Sequence, residues 1–368
     1  MKILLNYLGR TGSGPLLAFE MARALLQNGH EVTAVVSSGT SNLKDWQSLQ
    51  GVQLYPIPTY TDVKSLAWGT LRFLFKERPR LRRTFCGRQF DMVYAPMCHL
   101  WGAWVDGCFP HCRRVVTVHD PKPHTGASRI ESALFQWQCR QADDLVVLSR
   151  QFIPEVQQIY QKPAARVHYI PHGAAPSYRL KQKGPAPVHF APDKTNFVFV
   201  GRIEEYKGLH VLAQAFGQLA TIRQDATLTV AGKGNFLPYA DEYAALPRTT
   251  VLNRYVNEEE LGWFFDGPNI VIVLPYLDAT QSGNVPVAME YGCTLLATKT
   301  GGLQEQIEEG KTGVLVEPGD PRALMEGMLW IMEHPAECAA MRAGYPAVLE
   351  GLQWPILANR LTDLVKDA

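Results

Sequence analysis

No stretch of this sequence approaches the ~18 consecutive apolar residues that carry a helix across a bilayer. The N-terminal MKILLNYL runs straight into a glycine loop, without the long apolar stretch and small-residue cleavage site of a secretory leader. Cysteine is sparse: Cys86, Cys98, Cys108, Cys112, Cys139, Cys293 and Cys338 make an odd number with no C-x-x-C spacing. Such usage fits a reducing cytoplasm and argues against a disulfide framework. Cys108, His111 and Cys112 lack the second ligand pair of a zinc site. No D-x-D occurs, so no carboxylate pair is evident for a divalent cation, and neither metal nor cofactor is expected. Net charge is small as well. Lys and Arg total 36 against 35 Asp and Glu, giving +1, which implies no global polyanion partner. The expectation is a cytoplasmic protein, soluble or peripheral at the inner face of a membrane.

What is present is length and regular alternation. The 368 residues suit two domains, and 46% apolar residues suffice for real cores. Residues 275–302 carry the densest signal. The apolar strand Ile270–Leu274 leads into a polar loop over 278–284, and a helix is expected from near Val285 and Pro286 to Gly292, carrying Glu290. The strand Thr294–Thr298 follows and ends in Gly301 and Gly302. Such βαβ units bind ligands at the carboxyl ends of their strands. Amides of Gly283 and Asn284 at the helix N-terminus favour a phosphate, with Glu290 placed to accept from sugar hydroxyls. An ordinary crossover with a surface Glu has the same spacing.

The first half opens with a strand over 2–8, a glycine loop over 9–15 and a helix with apolar spacing from Leu16 to Leu26. The G-x-G-x-x-G spacing and the acid ending the second strand of a nicotinamide site are both missing. Either a looser cradle for a phosphate or sugar at Gly12, Ser13 and Gly14, or a plain tight turn, fits what is left. Residues 64–88 set eight basic side chains against Glu77, interleaved with Trp68, Leu71, Phe73, Leu74 and Phe75. That segment reads as a contact with an anionic membrane surface, or as a solvated helix whose Arg residues pair with acids elsewhere. Nucleic acid is disfavoured, because the charge is confined to one segment. A strand over 114–118 delivers His119 and Asp120 to the ligand edge, with His124 on the loop that follows.

A Pro-rich stretch separates the halves, and the organisation is residues 1–175, a linker over 176–196, residues 197–350, and a terminal helix within 351–368 that could cross back to the first half. In the second half, Arg202, Lys207, Lys233 and Arg254 stand at strand ends. Aimed with the Gly283 amide at one spot, they would neutralise a diphosphate.

Together GRIEEYKG, VAGKGN, SGNVPVAMEYG, ATKTGG and EGKTGVLVEPGD resemble the donor half of retaining GT-B glycosyltransferases, and glycosyltransferase family 4 in particular. The Gly12–Gly14 loop, TVHD and VHYIPHG agree in the first half. The resemblance implies an α/β GT-B fold, with two Rossmann-like domains facing across a cleft, the first on the acceptor side and the second on the nucleotide-sugar side. It implies a retaining, metal-independent transfer of a sugar from a nucleotide diphosphate, UDP before GDP. The implied acceptor is a glycan or lipid-linked sugar, in cell-surface polysaccharide or glycolipid biosynthesis. By the family pattern Arg202 and Lys207 bind the diphosphate, Glu290 holds the ribose, His119 lies near the sugar, and the loop Gly12, Ser13, Gly14 borders the phosphates. Gly232, Lys233, Arg254, Tyr255, Val256, Gln281, Ser282, Gly283 and Asn284 complete the donor side, while Asp120 and His124 belong with the acceptor. Breaking the glycosidic bond leaves a negative diphosphate, which fixed positive groups stabilise.

One position departs. The family's E-x7-E pattern puts its first Glu where this chain has Ser282. A mechanism through a nucleophilic Glu there is in doubt, whereas front-face attack with the donor phosphate taking the acceptor proton does not need it. Asp278 is a candidate substitute. Two other readings stay open: another GT-B enzyme, such as a sugar-nucleotide epimerase or phosphorylase, and a non-catalytic sugar-nucleotide-binding subunit.

Overall fold

The computed structural model describes residues 1–12, 14–121, 129–174, 182 and 184–366, and the chain divides into two compact units. One comprises Met1–Gly173 with Leu352–Ala368, the other Ala174–Gly351.

The first unit is built on a seven-stranded parallel sheet of order β3-β2-β1-β4-β5-β6-β7. Its strands are β1 (Lys2–Tyr7), β2 (Glu31–Ser37), β3 (Gln53–Ile57), β4 (Met92–Ala95), β5 (Arg113–Val118), β6 (Asp144–Val147) and β7 (Val167–Tyr169). Parallel strands are covered on both faces, so they read as unbroken apolar runs rather than alternation; Ile3 to Leu5 are fully buried in β1. The helix Gly14–Gln27 lays Leu17, Met21 and Leu25 on this sheet and stops at Gly29, whose φ of 80° suits a residue without Cβ. The terminal helix Trp354–Lys366 packs beside it, adding Trp354, Leu357 and Leu361 to the same core. Asn28 ties the two together, its Nδ2 donating to Pro355 O and to Asn359 Oδ1 at 2.8 Å each.

The basic segment is helical from Val63 to Thr84, with a wide turn over Phe73–Glu77 in which the backbone takes π-helical hydrogen bonding. Asp62 starts it as a capping box with Ser65.

A polar group also lies in this core. Asp106 is buried and accepts from Asn6 Nδ2 (2.7 Å) and Gln138 Nε2 (2.8 Å). Gln138 in turn accepts the His99 N–H (3.2 Å) and lies so close to Gly102 that a Cβ there would overlap its amide.

The second unit carries a six-stranded parallel sheet of order β10-β9-β8-β11-β12-β13. These are β8 (Thr195–Val200), β9 (Ala226–Ala231), β10 (Thr249–Leu252), β11 (Ile270–Leu274), β12 (Thr294–Thr298) and β13 (Val314–Val316). β8 begins two residues before the apolar run suggests. The buried Asn196 compensates by donating Nδ2 to Ala191 O, Lys194 O and Pro268 O. Strand order reverses between β1 and β4 in the first sheet and between β8 and β11 in the second, which are the points where open α/β sheets take ligands.

Burial pushes the Asp106 carboxyl up to about 6, opposed by its two amide donors. A carboxyl raised on folding binds its proton more tightly in the native state. Stability from this group is therefore greatest below about pH 4 and declines as pH rises through about 6. Urea midpoints for wild type and Asp106→Asn should converge or cross over this window, by on the order of 2 kcal/mol. Parallel pH profiles would show that Asp106 titrates normally.

Candidate functional site

At the carboxyl edge of the second sheet, three loops meet backbone to backbone. The loop after β8 runs from Gly201 through a tight turn at Glu205–Lys207 to Gly208, where the helix Leu209–Ile222 starts. A Cβ on Gly232, after β9, would overlap the Gly201 carbonyl, and one on Gly208 would overlap the Pro275 carbonyl after β11. Ile203 N–H donates to Lys233 O (3.1 Å), and Leu277 N–H to Tyr206 O (2.7 Å). The loop after β12 joins them. Gly301, at φ 47°, abuts Ala279 O, while Gly302 N–H donates to that oxygen at 2.9 Å. Thr298 Oγ1 donates to Tyr276 O at 2.6 Å.

Lys207 is held by aromatic faces. Its Nζ lies 3.4 Å from the centroid of the Tyr276 ring and 4.9 Å from that of Tyr206, an attraction between the cation and the negative ring face. Tyr276 is buried, and burial pushes its phenol up to about 12, so it stays neutral, with its hydroxyl 3.4 Å from Ser282 Oγ. Arg202 and Lys233 are exposed, and neither side chain makes a hydrogen bond or ion pair among the described residues. Arg254 is different. Its guanidinium grips Glu260 through two bonds (2.7 and 2.8 Å), which raises the arginine and lowers the carboxylate. Glu260 also caps the next helix with Asn257, so this pair shapes the loop that presents the exposed Tyr255 and half-buried Val256.

The loop after β11 is fixed by Gln306, which belongs to none of the sequence motifs. Ser282 N–H donates to Gln306 Oε1 (2.7 Å), and Gln306 Nε2 donates back to Ser282 O (3.1 Å). Ser282 is buried, and Asn284 Nδ2 reaches Val200 O at 2.6 Å. The helix then runs Asn284–Tyr291, one residue ahead of the expected start. Its N-cap, Gly283, has no side chain to cap the first turn. Ser282 does so instead, its carbonyl accepting from Val285 N–H at 3.3 Å and its Oγ from Asn284 N–H at 3.4 Å. Pro286 has no N–H, so the helix offers an anion its dipole rather than free amides. Gln281 Oε1 is buried without a partner among the described residues, and Glu290 is half-buried on the same helix.

In the first unit, Gly9 and Gly14 have a plain steric cause: a Cβ on either would meet the Tyr7 hydroxyl. Gly12 differs, with open space around it and a φ of 88°. Ser13 and His124 lie outside the described residues. His119 and Asp120 are half-buried at the end of β5, and His119 Nε2 bonds Pro96 O at 2.9 Å. Burial lowers the His119 pKa, opposed by that bond and by Asp120. His172, after β7, is buried and lowered to about 4, chiefly by burial and further by the neighbouring His119. Its Nδ1 bonds Gly173 O (2.9 Å), and Nε2 has no partner among the described residues.

Two family models match the chain: Glycosyltransferase Family 4 over residues 17–178, and Glycosyl transferases group 1 over residues 194–334. An uncharacterized glycosyltransferase of Methanocaldococcus jannaschii is 23% identical, over 84% of this chain and 82% of that protein. Among solved structures, sucrose-phosphate synthase from Thermosynechococcus elongatus superposes with a TM-score of 0.76 at 17% identity, covering 99% of this chain and 98% of that one. HepE of Anabaena in complex with UDP gives 0.74 at 15% identity over the whole of both chains. These likenesses carry the GT-B fold.

Gln306→Ala should cost about 1–2 kcal/mol by leaving the Ser282 N–H unpaired and removing one of the two donors to its C=O. Chemical denaturation measures it, and an unchanged midpoint would remove Gln306 as the clamp of this loop.

Proposed function

Because the chain is a family 4-like glycosyltransferase, we propose that it is a retaining, metal-independent enzyme that moves a sugar from a nucleotide diphosphate to a glycan or lipid-linked acceptor. UDP is the favoured nucleotide, supported by the fold shared with HepE, whose structures hold UDP and UDP-glucose. GDP is the second choice. The observation that carries this reading is the second unit's switch point. There, side-chain-free backbone at Gly201, Gly208, Gly232 and Gly283 lies with Arg202, Lys207 and the start of the helix Asn284–Tyr291. Bare backbone admits close approach, and the cations and the positive end of the helix dipole favour a diphosphate.

In this mechanism Arg202 and Lys207 hold the diphosphate and stabilise the charge it gains as the bond from the anomeric carbon to the phosphate oxygen breaks. The acceptor oxygen bonds that carbon from the same face, and its proton passes to a phosphate oxygen of the leaving nucleotide. No protein carboxylate is required at Ser282, whose groups are already engaged with Gln306, Tyr276 and Asn284. Gln281 offers an acceptor to the sugar, and Glu290 holds the ribose. Backbone around Gly232, Lys233, Tyr255 and Val256 takes the base. On the first unit, His119 contributes as a neutral hydrogen-bonding ring towards the sugar, and Asp120 acts on the acceptor side.

A thermal-shift screen of UDP, GDP, dTDP and ADP should single out one nucleotide. At 100 times its dissociation constant a ligand stabilises by about 2.7 kcal/mol. Arg202→Ala and Lys207→Ala should each lose about 2–4 kcal/mol of transition-state stabilisation in kcat/KM, with nucleotide affinity falling alongside. Ser282→Ala should cost less turnover than Glu290→Ala. A clear nucleotide shift without turnover of any sugar nucleotide would favour a non-catalytic binding subunit, and no shift at all would sink the donor-site assignment.

A further inference from the structure

The two faces of the helical segment Val63–Thr84 have different surroundings. Its inner face is fully used. Thr70 Oγ1 accepts from Trp101 Nε1 (3.0 Å), Phe73 stacks on Trp101 with centroids 4.7 Å apart and planes at 10°, and Leu81 is buried. The one acid of the basic stretch, Glu77, is turned inward as well, buried with its Oε1 3.4 Å from Arg72 Nε. No other ion pair involves the stretch among the described residues. A solvated helix whose arginines find acids elsewhere is therefore not what has formed.

The outer face presents Trp68, 74% exposed, Leu71 at 49% and Phe75 at 79%. Positions i, i+3 and i+7 form one stripe on a helix. Lys64, Lys76, Arg80, Arg82 and Arg83 are exposed around or beyond it. Single exposed apolar residues are ordinary, but a row of three large ones beside unpaired cations marks an interaction surface. Rings beneath this face link the segment to a second helix. Phe73 meets Trp104 (6.5 Å) and Trp104 meets Trp137 (5.8 Å) on the helix Arg129–Gln141, which also exposes Ile130 at 74%.

We propose that this face seats on an anionic lipid surface, with Trp68, Leu71 and Phe75 entering the interfacial layer while the exposed Lys and Arg side chains neutralise headgroup phosphates. Charge complementarity demands an anionic partner. The apolar stripe selects lipid over nucleic acid, because an aliphatic side chain such as Leu71 gains nothing from a phosphate backbone in water. Attachment here is peripheral: no helix among the described residues is long and apolar enough to cross a membrane. The docking does not depend on which sugar is moved, or on sugar transfer at all.

The test is co-sedimentation of the full chain with vesicles of phosphatidylcholine alone, and with about one-third phosphatidylglycerol, at low and near-physiological salt. Retention is expected on the mixed vesicles and not on the neutral ones. Trp68→Ser with Phe75→Ser should lower partitioning at least about tenfold. Lys76→Gln with Arg80→Gln should lower it about twentyfold and flatten its salt dependence. All four positions are exposed, so unchanged thermal stability identifies folded variants. Equal retention on both vesicle types, or none on either, overturns the proposal, as does indifference to Trp68→Ser with Phe75→Ser. So does capture by duplex DNA in place of vesicles, or a wild-type dimer that those two substitutions convert to monomer; the latter would assign the face to a second copy.

Discussion

Close contact between backbones, at places where no Cβ fits, is the constraint on which the donor-side unit depends. Gly232 against the Gly201 carbonyl, Gly208 against that of Pro275 and Gly301 against that of Ala279 draw the loops after four strands into one surface. Each contact is short because a side chain is missing, and each is accompanied by an amide donating across the same gap. Polar backbone, otherwise costly to bury, is thus satisfied within the loops. The surface is made before any ligand arrives, which is the condition for electrostatic stabilisation without reorganisation.

Side chains then refine what the backbone provides. Lys207 Nζ lies over the buried Tyr276 ring, so an apolar, polarisable face helps to position its charge. Arg254 is gripped by Glu260, which offsets its charge, and both residues shape a loop. Two cations that look alike in sequence thus have different seats, one on an aromatic face and the other in a carboxylate's grip.

The sequence carried the architecture well, for a physical reason. Central parallel strands such as β11 and β12 are covered on both faces and appear as unbroken apolar runs with glycine at their ends, so their limits were readable to the residue. β8 starts ahead of its apolar run because Thr195 and Asn196 are polar, and only the fold supplies the carbonyls that satisfy Asn196. The clamp of Ser282 by Gln306 and the seat of Lys207 on Tyr276 join positions far apart in the chain, and neither leaves a local pattern. Glu260 was legible as a capping residue, but its grip on Arg254 depends on the turn between them. The glycines after β1 illustrate a different limit. Composition distinguishes neither a ligand cradle from a tight turn nor either from the actual cause at Gly9 and Gly14, which is the Tyr7 ring beneath them.

Because the helix Trp354–Lys366 completes the core begun by residues 3–25, the second unit is an insertion within the first in chain order. During synthesis every residue of the inserted unit is made before Trp354, Leu357 and Leu361 are added to the first. The part made first is thus the part finished last. Until then the side of the helix Gly14–Gln27 that packs on Trp354–Lys366 lies uncovered, the kind of surface that chaperones bind. A chain cut short by a dozen residues would lose the integrity of its opening half while its later half stood intact.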